Sequence, residues 1–457
     1  MAYIPHLDYR YPLHVDEWWR YGDAQSLIES GSINYPDPFN SGATVTSDIE
    51  VGFHILLGEL KLITGISWLD MFRFLPGVIF ALLAFAAYAF SKRRGFGLAA
   101  AFLVALIPTT IRFLGPAFLV PVAMGLIFIP LTLFVLHRFA FDFRGTAILS
   151  LMFISLMFIH PPTLVAVSLI FVIHLVFFSP GQAKSKRSLL QLALPFCVLV
   201  LLYVFMRFWA PSAFEFIVKE AANPQAHLAL PPIQDALPKF GYIPVLLFIL
   251  GAGIMAYERK VQSLALVISA LALLAFEQIY PRFYIGPDIL YERGWLYTFV
   301  LMALLGGVAL SQVWRWAGNL KKIKPIYCYV LIAIISLSAL AVSVTGHLSE
   351  PYYHVVDDET YQDFLWIKEY IPSQHQIGVL DTGVAWAFAS VTEKYAYTAE
   401  VAPNFHEKGR ETMLFLQEGA RDTAWLEEKG ITIVYTPGLV ENTDLIKVRN
   451  NIYLLVE

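Results

Sequence analysis

Residues 12–31 read PLHVDEWWRYGDAQSLIESG and set Asp16 and Glu17 side by side, just ahead of two tryptophans, near the head of an otherwise apolar chain. A carboxylate held partly out of water can serve as general base toward a hydroxyl or an amide. Trp18, Trp19 and Tyr21 carry amphipathic rings of the kind that settle at headgroup depth in a membrane. The spacing predicts a helix that runs from the acidic pair and stops at Gly31. So anchored, the carboxylates would lie just above the hydrocarbon, where a lipid-linked phosphate presents its sugar. The chemistry needs a base facing the anomeric carbon while the phosphate leaves on the opposite side. The plain alternative is a solvated loop pair.

The rest of the chain must supply that membrane. Its 457 residues are 57% hydrophobic and only 15% charged, against about 25% charged in an ordinary soluble domain, and mean hydropathy is +0.60. A net charge of −4 points to no nucleic-acid partner. Cys197 and Cys328 both fall in apolar runs, which argues against a disulfide framework. Crossing the hydrocarbon takes about 20 apolar residues, and about ten runs qualify, starting near residues 72, 96, 117, 146, 162, 189, 242, 262, 295 and 326. Residues 51–65, with His54, Glu59 and Lys61, read instead as an amphipathic or re-entrant helix.

Basic clusters at residues 92–94, 137–144, 184–187, 259–260 and 315–324 occupy alternate connections, which the positive-inside rule assigns to the cytoplasm. The connections at 107–115, 160–162, 209–241 and 277–292 then face outward, as do the N-terminal segment and everything after Gly346. Met1 to Tyr11 has no apolar core of a signal peptide. An acidic N-terminal segment on the outside implies either a preceding span missing from this sequence or an N-out protein. From Tyr352 the composition changes to that of an α/β domain: Asp358 to Tyr370 reads as a helix, and QIGVL, ITIVY and NIYLLVE read as buried strands separated by helical stretches at 407–417 and 421–429.

The pieces HVDEWWRYGDAQSLIESG, EVGFHILLGELKLITG and DMFRFLPGVIF together resemble the opening of the C superfamily (GT-C) of membrane glycosyltransferases, notably the protein O-mannosyltransferases and bacterial aminoarabinose transferases. In those families an acidic pair opens the first external loop. The resemblance implies a polytopic α-helical protein of about ten to eleven spans, a membrane domain over residues 1–350 with its catalytic loop in the first 70 or so, and an extracytoplasmic α/β domain over residues 351–457. It implies sugar transfer from a polyprenyl-phosphate donor to an acceptor outside the cytoplasm, in the plasma membrane or an endomembrane, with inversion at the anomeric carbon. Asp16 matches the residue that activates the acceptor, and Glu17 its neighbour in the catalytic site.

Arg293, Arg282 and Arg112, in that order, are the candidate donor-phosphate ligands, because the guanidinium fork suits phosphate; a snorkelling anchor is the plain alternative for each. ERGWLY around Arg293 matches only loosely the arginine–tyrosine element that related transferases carry on a late span. His160 in FIHPPT reads as a turn residue. Oligosaccharyltransferases of the same superfamily bind a divalent cation through acidic residues of two external loops. Here His14, Asp48, Glu50 and His54 offer donors in the first loop, but IPTTIRFLGPAFLVP has no acidic residue, so a metal is not favoured. A transporter or flippase is the second reading; Glu277 and Asp288 fall at helix ends, leaving few ionisable groups mid-span for ion coupling. A receptor-like protein working through its α/β tail is the third.

Overall fold

The computed structural model describes residues 1–40, 42–46, 48–139, 142–182, 197, 200–201, 203–204, 207–208, 211, 233–284, 286, 288–319, 325–399 and 405–456. These form two compact units: a helical unit of residues 1–8, 49–53 and 73–351, and a sheet-bearing unit of residues 9–48, 54–72 and 352–457. The first acidic loop and the C-terminal α/β segment therefore share a unit.

The chain opens with α1 (Val15–Ser30), a short hairpin of β1 (Tyr35–Pro36) and β2 (Thr44–Val45), α2 (Val51–Thr64) and α3 (Trp68–Lys92). Helix α1 ends where Gly31 takes φ +61° and returns its N–H to the carbonyls of Leu27 and Ile28, a left-handed cap that glycine adopts without strain. Next come α4 (Gly97–Val104), α5 (Pro121–Gly125), α6 (Phe128–Phe139), α7 (Phe143–Ile159) and α8 (Pro161–Gln182), then α9 (Ile233–Phe240), α10 (Tyr242–Tyr257), α11 (Val261–Phe283), α12 (Asp288–Asn319) and α13 (Pro325–Ser349).

Among the described residues, five helical stretches are long and apolar enough to cross a membrane: 68–92, 121–139, 261–283, 293–316 and 329–349. The pair α9 and α10, bent by 97°, makes a sixth if it is one span, and 143–159 and 161–177 are apolar but shorter. The span expected near residue 189 and most of the loop at 209–241 lie outside the described residues. The span expected from residue 96 is not continuous: α4 stops at Val104, and residues 105–120, which include Pro108 and Pro116, run non-helically. Most of that stretch is buried, as irregular backbone within an apolar bundle must be. Helix α12 is central, with 83% of its apolar stretch buried against 17% for the peripheral α13. It packs on α4 and α10 at close range: a Cβ at Gly307 would lie 2.7 Å from the Ala100 backbone, and one at Gly251 would strike the Leu305 carbonyl.

The C-terminal segment adds α14 (Asp358–Tyr370), β3 (Ile377–Val379), α15 (Thr382–Thr392), β4 (Tyr395–Ala396), α16 (Phe405–Gln417), α17 (Thr423–Glu428), β5 (Ile433–Tyr435), β6 (Leu445–Arg449) and β7 (Ile452–Leu455). The sheet order is β4-β3-β5-β7-β6, parallel on the β4-β3-β5 side and antiparallel over β5-β7-β6. Asp357, Asp381 and Asp422 cap α14, α15 and α17 through their carboxylates. Val379, Leu426, Ile431 and Val434 fill the core beneath the sheet. Helix α1 packs on α15, where a Cβ at Gly22 would meet Phe39 at 2.5 Å and Ser390 Oγ at 2.9 Å.

Candidate active site

The head of α1 separates the two adjacent carboxylates. His14 is the N-cap, its Nδ1 accepting the Asp16 N–H at 3.1 Å, while Glu17 reaches back to accept the Leu13 N–H at 2.7 Å. Glu17 is wholly buried. The Asp16 side chain is 25% exposed and lies 3.2 Å from His14 Nδ1. Successive helical residues point about 100° apart, so one carboxylate turns inward as a structural tie and its neighbour stays reachable. At the first turn the dipole of α1 also favours negative charge.

Further along the same unit a second acidic group closes on a histidine. His54 Nδ1 is 2.6 Å from Asp48, Asp23 stands 3.9 Å from Nε2, and the Tyr35 hydroxyl donates to Asp48 at 3.1 Å. All four side chains are buried. Burial pushes the Asp23 carboxyl up to about 7, against the pull of the neighbouring imidazole. Burial alone would hold His54 down, but the charge and hydrogen bond of Asp48, with the charge of Asp23, carry it above its ordinary value. The second half of α1 walls a cavity of about 320 Å³ with α15, lined by Gln25, Glu29, Asp37, Glu393 and Tyr395 among others. Gln25 Nε2 donates to both Glu29 and Glu393, at 2.8 and 2.6 Å.

The helical unit holds a different polar chain. Glu50 stands 3.7 Å from His160 Nε2; His160 Nδ1 accepts from Thr163 at its N–H (3.3 Å) and faces Thr163 Oγ1 at 2.7 Å, and Oγ1 meets the Tyr297 hydroxyl at 3.1 Å. His160 is thus a turn residue and helix cap, as its prolines suggest, but also the middle of a buried relay. Arg293 is half-buried on α12, one turn before Tyr297 and on the same face. Arg282, in the last turn of α11, and Arg112, in the non-helical stretch, are exposed.

The metal candidates are taken up in pairs. His14 pairs with Asp16, Asp48 with His54, and Glu50 with His160, and His54 is addressed by two carboxylates from opposite ring nitrogens. Among the described residues no group of three or more His, Cys, Asp or Glu side chains is placed to hold a metal ion. Glu277, expected at a helix end, lies inside α11 and is 2% exposed. Its carboxylate abuts Gly294 and has no hydrogen-bond partner among the described residues. Sequence reading passed over Asp23, Tyr35, Thr163 and Tyr297, none of which belongs to a local motif.

No family model and no curated protein matches the chain in sequence. In structure it is similar to the Archaeoglobus fulgidus oligosaccharyltransferase tethered to an acceptor peptide containing an NVT sequon: TM-score 0.62, 14% identity, covering 92% of this chain and 64% of that one. The archaeal enzyme with an inhibitory peptide and a dolichol-phosphate gives TM-score 0.58, 14% identity, and 92% and 65% coverage. ArnT from Cupriavidus metallidurans bound to undecaprenyl phosphate gives TM-score 0.58 and 13% identity, covering 99% of this chain and 95% of that one. The chain spans somewhat under two thirds of the archaeal enzyme's length. Over 92–99% of its length the chain therefore has the fold of the archaeal oligosaccharyltransferase and of ArnT, the fold that the acidic pair and its surroundings led us to expect.

Proposed function

We propose that this protein is a multi-pass membrane glycosyltransferase that moves a sugar from a polyprenyl-phosphate donor to an acceptor on the extracytoplasmic side. The observation that carries this reading is the likeness, over nearly all of both chains, to a transferase holding undecaprenyl phosphate. Asp16 is the general base. It takes the proton of the acceptor hydroxyl or amide as that atom bonds to the anomeric carbon; the bond from that carbon to the lipid phosphate breaks, and the phosphate leaves with the electron pair. Attack opposite the departing phosphate inverts the anomeric centre. Glu17 is a positioning residue that fixes the chain entering α1. Arg293, set beside a buried polar relay, is the first choice to neutralise the departing phosphate, with Arg282 and Arg112 after it. The cavity along α1 and α15 suits the acceptor, and no metal is assigned a step.

The test is purified full-length protein in liposomes with a panel of undecaprenyl- and dolichyl-phosphate sugars, product being detected by mass spectrometry. Replacing a general base should cost roughly 10²- to 10⁴-fold, so Asp16→Asn loses transfer by that factor. Glu17→Gln, which keeps an acceptor oxygen for Leu13, retains most of it. Equal rates for Asp16→Asn and wild type would remove the assigned base. Transport of the lipid without sugar transfer, blocked by Glu277→Gln, would install the transporter reading, for which the buried Glu277 is the favouring observation.

A further inference from the structure

A cleft of about 460 Å³ opens between α3, α4, α12 and α13 in the helical unit, away from every residue assigned above. Its rim and walls differ in character. Lys92, the last residue of α3, lines the rim, exposed, with its Nζ 5.5 Å from the Tyr88 ring centre. Arg93 follows it, also exposed, while Arg94 is engaged by His137 and Gln262 at 2.8 Å each. None of the residues lining the cleft is acidic. Deeper in, Phe96, Phe102, Leu310 and Ile332 make the walls apolar, while Leu98 is exposed. Trp314, 54% exposed at the mouth and 5.4 Å ring to ring from Tyr329, is the kind of residue that marks headgroup depth. Gly97 keeps the cleft's shape: a Cβ there would meet the Tyr88 ring at 2.9 Å and the Lys92 backbone at 3.0 Å. The α13 flank is the least buried of the spans.

We propose that this cleft binds one anionic glycerophospholipid, its phosphate on Lys92 and Arg93 and an acyl chain laid along Phe102 and Ile332. The volume is that of a ligand site. A lysine lining an apolar slot between spans, with an exposed arginine next to it in the chain, suits an anionic headgroup. A zwitterionic headgroup would bring its own ammonium against Lys92. Ser311 already donates to the Gly95 carbonyl at 2.7 Å, leaving half-buried Ser336 to meet the ester level.

Native mass spectrometry of the full chain in neutral detergent, with equal phosphatidylglycerol and phosphatidylcholine, tests this. Wild type should retain one phosphatidylglycerol in preference. Lys92→Gln, a surface change, should weaken that adduct about fivefold, the worth of one cation near an anionic lipid. Ser336→Trp, which fills the slot, should remove it while leaving other adducts in place. Equal retention of both lipids by wild type, or the same phosphatidylglycerol adduct on wild type and on a monodisperse Ser336→Trp, overturns the site.

Discussion

His54 and His160 each face a carboxylate, and the carboxylates, Asp48 and Glu50, stand on either side of Ile49 in the sequence. Yet one pair belongs to the sheet-bearing unit and the other to the helical unit, and they are different devices. His54 lies between two carboxylates, at 2.6 and 3.9 Å, with a tyrosine hydroxyl on the nearer one. Two buried acids around one imidazole favour the imidazolium, so this centre stores charge. Among the described residues His160 meets one carboxylate, at 3.7 Å, and two neutral groups of Thr163. Since its Nδ1 accepts the Thr163 N–H, the network puts its proton on Nε2, toward Glu50, and leaves Tyr297 and Thr163 as hydrogen-bond donors in series. A histidine's role here follows from how many anions surround it, not from the residue before it in the chain.

The largest expected effect comes from removing the cation of the charged centre. His54→Leu leaves Asp48 and Asp23 facing an apolar side chain, and breaking a buried pair from one side costs about 3–5 kcal/mol. Chemical unfolding in detergent should show it. A loss below 1 kcal/mol would mean the two acids were already neutral, and the contrast with His160 would vanish.

Next in size is a pH dependence. The folded Asp23 holds its proton up to about 7, far above the 3.8 of an unperturbed aspartate. Between those values the native state binds more protons than the unfolded chain, so stability is full below about pH 4 and falls as pH rises through 7, by roughly 4 kcal/mol. His54, raised for its own reasons, acts in the same direction. Thermal midpoints taken from pH 5 to 8 should decline, and Asp23→Asn should flatten that decline. A decline in Asp23→Asn as steep as that of wild type would show Asp23 ionised throughout.

Much of the scaffold was legible from local signals. Gly31 closed α1 where it had to, 358–370 is a helix to the residue, and three of the C-terminal strands fall within the expected runs. Strand β6 was missed because Ile446, Lys447 and Val448 are all exposed and its register shifts between Lys447 and Arg449, which erases any alternation. The continuous span from residue 96 failed on Pro108 and Pro116, whose cost an averaged hydropathy does not carry. The site was legible only where it is local. Asp16 and Glu17 look equivalent in sequence, and only the helix phase assigns one to solvent and the other to Leu13. That Asp23 would meet His54, or Thr163 meet Tyr297 134 positions away, depends on packing that no spacing encodes.

The smallest effect tests the other half of the contrast. Tyr297→Phe removes one hydroxyl from the relay and leaves Thr163 and His160 bonded to each other. A neutral buried hydrogen bond is worth about 1 kcal/mol, so the stability loss should stay near that figure. Because no charge is involved, the variant should keep the wild-type decline with pH. Arg293 lies one turn away on the same helix face, so a change in its setting should appear as a few-fold rise in KM for the lipid donor with kcat nearly unchanged, the mark of altered binding rather than altered chemistry. If Tyr297→Phe instead flattened the pH profile as Asp23→Asn should, the relay would be carrying charge, and the two histidines would be one kind of centre after all.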